Sequence, residues 1–301
     1  MIHINDIKER LKRNPEPKEV TEMRGHILSS FSGLEFIEDG HIYNLHNSDG
    51  TITPKIPSAS AIIKRFEPEE DWDMIAERYA LKHNMDVATV KRMWKEKNIK
   101  STNNGTSTHL YGEFMQKFVT SGEPNFCEVL KPQYEQGFFI PYSPKQEAIL
   151  KYWEDAIKVD EIYPLLPEVK MYMPLGNKYG INEVFCGTAD ITFAYKYKGK
   201  WCILLEDYKT NTSLTNDFAR SKGLMMLPPF DNLVNEALSH YMIQQGLYSM
   251  MLENIGYDVI SRKLVHIKDD GTYEKVKLPY IKEQLIECFK DEYEKGICEK
   301  H

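Results

Sequence analysis

A chain of 301 residues can bury a sizeable core as one large domain or two small ones. Its 45 acidic side chains outnumber 38 basic ones, for a formal charge of −7. The chain therefore lacks the global basic signature of a nucleic-acid binder, although a local basic groove can sit on an acidic protein. Five scattered cysteines (Cys127, Cys186, Cys202, Cys288, Cys298) form no CxxC pair, so spacing indicates neither a zinc site nor an iron–sulfur cluster, and reduced thiols are expected.

The N-terminus, MIHINDIKERLKRNPEPKEV, lacks the apolar run of a secretion signal, and no stretch has the length to span a bilayer. A soluble, cytoplasmic protein with no membrane partner is expected, in a bacterial or phage-infected cell. Residues 1 to about 30 read as a short charged helix and a Pro-broken linker. Leu34 to Ile56 reads as β-structure with turns at Asp39-Gly40 and Ser48-Asp49-Gly50, and Pro57-Ser58-Ala59-Ser60 as a capped helix start. Asp71 to Lys97 is helical by pattern. Its lysines fit an ordinary solvated face or part of a DNA-facing surface.

Asn104-Gly105-Thr106 reads as a turn and cap opening a further helix, on which Leu110, Phe114 and Phe118 form a buried stripe. His109 and Glu113, four apart, share a second face beside it. Residues 121 to 145 are loop-like. A helix follows from Ser143 or Pro144 to about Val159, then a strand from Pro167 to Met173. That strand carries Glu168, a third acidic candidate whose plainer reading is an exposed strand position.

The most informative stretch is Phe185 to Thr210, FCGTADITFAYKYKGKWCILLEDYKT. Two β-rich runs flank Lys198-Gly199-Lys200, so a hairpin is predicted, bringing Asp190 beside the strand of Asp207. Asp207 and Lys209 have the same parity and project from one face, while Glu206 points to the opposite side. Two carboxylates and an ammonium at the edge of an apolar sheet are costly to desolvate, and a divalent cation is the usual compensation. Hard oxygen ligands from Asp190 and Asp207 select Mg²⁺ or Mn²⁺, one or two ions.

After Thr210 come a polar loop and the apolar GLMMLPPF run, read as core or a packed lid. Asn235 to Asn254 is a helix on which His240, Gln244 and Tyr248 line one stripe. Gly246 inside it costs about 1 kcal/mol relative to Ala and implies close packing, with the sheet as the expected neighbour. A last hairpin over Val259–Ile267 and Tyr273–Leu278 and a helix from about Tyr280 to Tyr293 complete the pattern.

In order, these segments read G-T-x-x-H-x-x-x-E on a helix, G-x-x-D on a strand, E-D-Y-K-T on its hairpin partner and Q-x-x-x-Y on the next helix. That order resembles the PD-(D/E)xK nuclease superfamily, in its RecB-like exonuclease branch, over roughly Pro57 to Gly256. Gly105, His109, Gly187, Asp190, Asp207, Lys209, Thr210, Gln244 and Tyr248 carry the likeness, with Ala189-Asp190 in place of Pro-Asp. The resemblance implies an α/β (α+β) fold with a restriction-endonuclease-like core: a central mixed sheet flanked by helices. An N-terminal helical and hairpin extension (1–56) would precede the nuclease domain (57–301).

It further implies His109 and the Tyr208 backbone carbonyl as additional metal ligands and Lys209 as the catalytic lysine. Gln244 and Tyr248 would fix Lys209 or a substrate phosphate, with Glu113, Glu168 and Glu206 as supplementary acids. No iron–sulfur cluster is implied, since the cysteines some relatives use are absent. The activity implied is metal-dependent exonucleolytic hydrolysis of DNA in recombination, repair or processing. Single-stranded ends are the expected substrate and a single-strand annealing or recombination protein a candidate partner. The net acidity predicts a confined basic path with steep salt sensitivity. A structure-specific endonuclease and a non-catalytic DNA-binding subunit on the same fold are the alternatives.

Overall fold

The computed structural model describes residues 4–122 and 141–294; most of the expected loop at 121–145 and the charged tail lie outside them. Two short helices open the chain, α1 (Ile4–Arg13) and α2 (Lys18–Ser30), separated at Asn14-Pro15-Glu16-Pro17. The prolines end the first helix and seat Pro17 as the extended cap of the second, so the expected linker is itself largely helical. Strands β1 (Leu34–Ile37), β2 (Ile42–His46) and β3 (Ile52–Thr53) form an antiparallel three-stranded sheet, with positive φ at Gly40 and Gly50 in the two turns. Ser58 caps α3 (Ala59–Lys64), its hydroxyl accepting from the Ala61 amide, as expected.

Helix α4 (Trp72–His83) ends at Asn84 in the left-handed conformation, and Asp86 caps α5 (Val87–Ser121). The expected single helical segment over 71–97 is thus two helices, and the expected turn at Asn104-Gly105 does not form, because α5 runs straight through it. Thr106 and Thr108 donate their hydroxyls to the carbonyls of Thr102 and Asn104, one turn back within the helix, and not to a cap position. Of the expected buried stripe, Phe114 and Phe118 are buried but Leu110 is 57% exposed, its place toward the core being taken by Tyr111 and Met115.

Helix α6 (Pro144–Ala156) precedes a five-stranded sheet, β4 (Ile162–Tyr172), β5 (Cys186–Tyr197), β6 (Lys200–Lys209), β7 (Val259–Ile267) and β8 (Tyr273–Lys277), ordered β4-β5-β6-β7-β8. All neighbours are antiparallel except β6 and β7. That parallel pair requires a crossover, supplied by α7 (Asp217–Lys222) and α8 (Ala237–Asn254). Helix α9 (Lys282–Glu294) closes the described chain. The protein is a mixed α+β structure built on one open mixed sheet.

The sheet is covered on both faces. One cluster joins α2, α3, α8 and α9 to Leu165, Val169, Ala189, Ala194, Ile203 and Leu205. The other joins α1, the C-terminal half of α5 and α6 to Ile191, Phe193, Tyr208, Val265 and Ile267. Burying each such large side chain contributes about 1.5–3 kcal/mol. Residues 1–56 enter both cores, through Ile7 of α1 and Val20, Met23 and Ile27 of α2, while their sheet packs as a smaller cluster with Ile56 and Cys186. Gly246 packs closely, but against α9 and not the sheet: a Cβ there would lie 2.4 Å from Leu285 Cδ1. No helix among the described residues is long and apolar enough to cross a membrane.

Candidate metal centre and its lysine

The hairpin expected from the sequence forms β5 and β6. Lys198 and Gly199, both at positive φ, make a two-residue turn whose twist matches the strands. With Tyr197 opposite Lys200, the register puts Ile191 opposite Glu206 and brings Asp190 to the strand of Asp207. The Tyr208 amide, rather than bonding to β5 backbone, donates to Asp190 Oδ2 at 2.9 Å. This bond, together with burial, fixes the Asp190 carboxylate against the end of β6.

His109 reaches the same oxygen from α5, with Nδ1 3.1 Å from Asp190 Oδ2. Glu168 completes the group, its Oε1 4.0 Å from the same imidazole nitrogen. Strand β4 shifts register between Pro164 and Pro167, and Glu168 sits just beyond that irregularity at φ +46°. A glutamate in the left-handed region is uncommon, and here it turns a strand residue into the cluster. One ligand atom from each of His109, Glu168 and Asp190 lies within 4.8 Å of the others, so the three could hold a metal ion. Glu168 therefore stands beside the imidazole rather than at an ordinary exposed strand position.

The electrostatics fit a cation. Burial and then the Asp190 carboxylate push the Glu168 carboxyl up to about 8. Burial opposes ionisation of both His109 and Asp190, but their mutual attraction outweighs it. The imidazole rises to about 9 and the Asp190 carboxyl falls below the usual carboxylate range. Asp207, 1% exposed, is pushed up to about 6 by burial and then by Asp190, against the pull of Lys209. Three carboxylates thus crowd one half-buried imidazole and one buried ammonium. An imidazole nitrogen with carboxylate oxygens is a donor set that Mg²⁺ accepts and Mn²⁺ favours.

Asp207 stands beside this group, ion-paired with Lys209 on the same face of β6. Burial disfavours the ammonium, yet Asp207 and Asp190 together hold it above its ordinary value, so Lys209 keeps its charge. Its other neighbour is the ring of Tyr241 on α8, 4.3 Å from Nζ to the centroid. The Tyr241 hydroxyl donates to Asn211 Oδ1 at 2.6 Å, and the Asn211 carbonyl lies 2.7 Å from His266 Nε2. Tyr241 is a positioning residue that the sequence reading placed among apolar surface. Its spacing of three from Gln244 and seven from Tyr248 was the available signal.

Tyr248 faces the cluster and Gln244 lies one turn before it on the same face of α8, neither with a hydrogen bond to Lys209 among the described residues. Tyr248 is buried with the Thr188 backbone as its partner, and the nearby Asp190 and Asp207 are among the charges acting on its phenol, which burial holds well above its ordinary range. Gln244 has a buried Oε1 without a partner among the described residues. Two glycines, Gly187 of the motif and Gly112, are explained by tyrosine rings. A Cβ on Gly187 would lie 2.3 Å from Tyr248 Cε1, and one on Gly112 would lie 2.3 Å from Tyr208 Cε2. A Cβ on Gly105 would meet the Thr210 hydroxyl at 3.5 Å, an ordinary contact, within the continuous α5.

Of the remaining acids, Glu113 lies near enough to act on the Glu168 charge and Glu206 lies on the other face of the sheet. Glu113 is ion-paired with Lys117 at 2.5 Å. Glu206, on the opposite sheet face as expected, accepts from the Tyr152 hydroxyl at 2.8 Å and pairs with Lys263 and Lys275 at 3.5 and 3.2 Å. The Tyr208 ring lies on that face too, its hydroxyl accepting from Trp153 Nε1 at 2.8 Å. The chain matches no model of a known protein family and no curated protein.

Proposed function

We propose that this protein is a metal-dependent deoxyribonuclease, an exonuclease that hydrolyses phosphodiester bonds on a restriction-endonuclease-like core. The observation that carries the reading is the convergence of His109, Glu168 and Asp190 on one point, beside the Asp207–Lys209 pair on the adjoining strand. A divalent cation bound there, Mg²⁺ or Mn²⁺, would act as a Lewis acid toward a phosphoryl oxygen and make water acidic enough to attack at neutral pH.

The chain's own residues do the rest. His109, Glu168 and Asp190 would hold the ion, with Asp207 at its side, and the pairing of His109 with Asp190 keeps the imidazole facing the carboxylates. Lys209, charged and buried, places a fixed positive group where a pentavalent phosphorus gathers negative charge. Tyr241 and Asp207 hold that ammonium from two sides, so little reorganisation is needed when the substrate arrives. The Tyr248 ring, packed against Gly187, closes the site near Asp190 and Asp207.

The test is degradation of end-labelled single-stranded DNA with Mg²⁺ or Mn²⁺, comparing the wild type with Asp207→Ala and Lys209→Ala. Loss in both variants is expected, and equal activity in all three discards the reading. A covalently closed circle separates the two modes of cleavage, because an exonuclease leaves it intact.

A further inference from the structure

Helix α5 has two unlike halves. From Tyr111 onward it is packed between α6 and the sheet, but from Lys91 to Ser107 every residue is exposed except Trp94 and Gly105, which are half-buried. Between Val87 and Thr108 it carries Lys91, Arg92, Lys95, Lys97 and Lys100 against the single acid Glu96, in a chain whose formal charge is −7. Helix α4 packs on its first turns through Ala76, Ala80 and Val90, with Lys91 paired to Asp73 at 2.7 Å. Arg92, Lys95, Lys97 and Lys100 make no ion pair among the described residues. A helix so long, exposed and singly charged gains nothing for the core, so its composition needs another cause.

The spacing supplies one. Lys91, Lys95, Asn98, Thr102, Thr106 and His109 recur at three- and four-residue intervals and so lie along one face of α5. That face leads from two lysines, over side chains that can donate hydrogen bonds, to the imidazole of the metal centre. The eighteen helical steps from Lys91 to His109 span about 27 Å at the helical rise. At the far end, Trp72 is 61% exposed, its ring 6.3 Å from Trp94 and edge-on to it. An indole open to solvent at the stretch of α5 that carries Arg92 and Lys95 offers a π-face for a base, with cations on the same stretch for the adjoining phosphates.

We propose that α4 and the exposed half of α5 form an anchoring site for single-stranded DNA, holding the strand at Trp72, Arg92 and Lys95 and leading its phosphates along α5 toward His109. This rests on the nuclease reading for the direction of travel, but the binding itself does not. An unpaired base is the occupant because a base stacked within a duplex has both faces covered.

The test measures binding in EDTA, where no cleavage occurs, of a fluorescein-labelled oligothymidylate of about twenty nucleotides and of a trinucleotide, using the full chain. Arg92→Gln with Lys95→Gln lowers the slope of log affinity against log salt by about 1.4 for the long strand, at about 0.7 for each lost phosphate contact. Trp72→Ala weakens the long strand about fivefold or more. The trinucleotide, too short to run from the arm to His109, binds more weakly than the long strand. Circular dichroism identical to wild type keeps the comparison valid. An unchanged slope and affinity overturns the proposal, as does a duplex of the same length that binds equally well and is indifferent to Trp72→Ala. If the wild type cleaves nothing with Mg²⁺ or Mn²⁺ while the arm variants still lose the long strand, the nuclease reading fails and the arm stands. If the wild type cleaves but arm variants bind normally, the arm alone fails.

Discussion

Glu206 and Asp207 are neighbours in sequence, both almost fully buried, on opposite faces of β6. Glu206 is surrounded by its own compensation: two lysines and a tyrosine hydroxyl. Asp207 has one lysine and faces the Asp190 carboxylate, which together with burial pushes it up to about 6. One face of the strand is a finished charge network and the other is short of positive charge. Burial of a carboxylate therefore does not mark a site; incomplete compensation does.

The largest test of this contrast is functional. Asp207→Ala and Lys209→Ala are expected to slow cleavage of end-labelled DNA about a hundredfold or more. Glu206→Ala leaves the rate near wild type and instead lowers stability by about 2 kcal/mol in urea titration, discounted for its half-exposed lysine partners. If Glu206→Ala abolishes cleavage with stability intact, the two faces are not distinct in role. Next come the two glycines under tyrosine rings. Gly187→Ala and Gly112→Ala should each cost about 1–3 kcal/mol, since a ring must move from 2.3 Å. Only Gly187→Ala, which displaces Tyr248 on the Asp207 face, should also reduce activity in proportion to folded protein.

The pH response sharpens the same point. Glu168 (about 8), Asp207 (about 6) and His109 (about 9) all have folded values above their ordinary ones. Each contributes stability that is present at low pH and is lost as pH rises through the folded value. The metal-free protein should therefore lose thermal stability steadily from about pH 5 to pH 9. Glu168→Gln removes the part of that loss below about pH 8, and Mn²⁺ restores stability at the alkaline end. The lowered Asp190 value acts only in acid, outside this window. A metal-free melting curve that is flat over this range contradicts the crowding. Smallest of all, Tyr241→Leu should lower the cleavage rate about fivefold by removing the ring over Lys209, whereas Tyr241→Phe keeps the ring and most of the rate.

Much of this arrangement was legible in the chain. The β5–β6 hairpin, the shared face of Asp207 and Lys209, and the placing of Glu206 on the opposite face follow from period-two alternation and a Lys-Gly turn, which are local. Glu168 was not legible as a member of the cluster, because its placement comes from an irregularity in β4 that alternation cannot register. The turn read at Asn104-Gly105 failed for a related reason. The helix that holds His109 runs on through Gly105, and the Thr106 and Thr108 hydroxyls bond back to the carbonyls four residues earlier, inside the helix, where a local reading expects a cap. Tyr241 was hidden among core positions because a ring that holds an ammonium looks, in sequence, like a ring that fills space. Gly246 signalled tight packing but not with what, since its neighbour Leu285 lies on a distant helix.

The long exposed reach of α5 before His109 has a consequence for assembly. Asp190 and Asp207 meet across a hairpin that can close early, while Glu168 and His109 arrive from strand β4 and helix α5, the latter 190 − 109 = 81 residues upstream of Asp190. Contacts so far apart in the chain form late in folding. The cation would bind only a molecule in which α5 has docked, so metal affinity reports complete folding in a way that hairpin content does not.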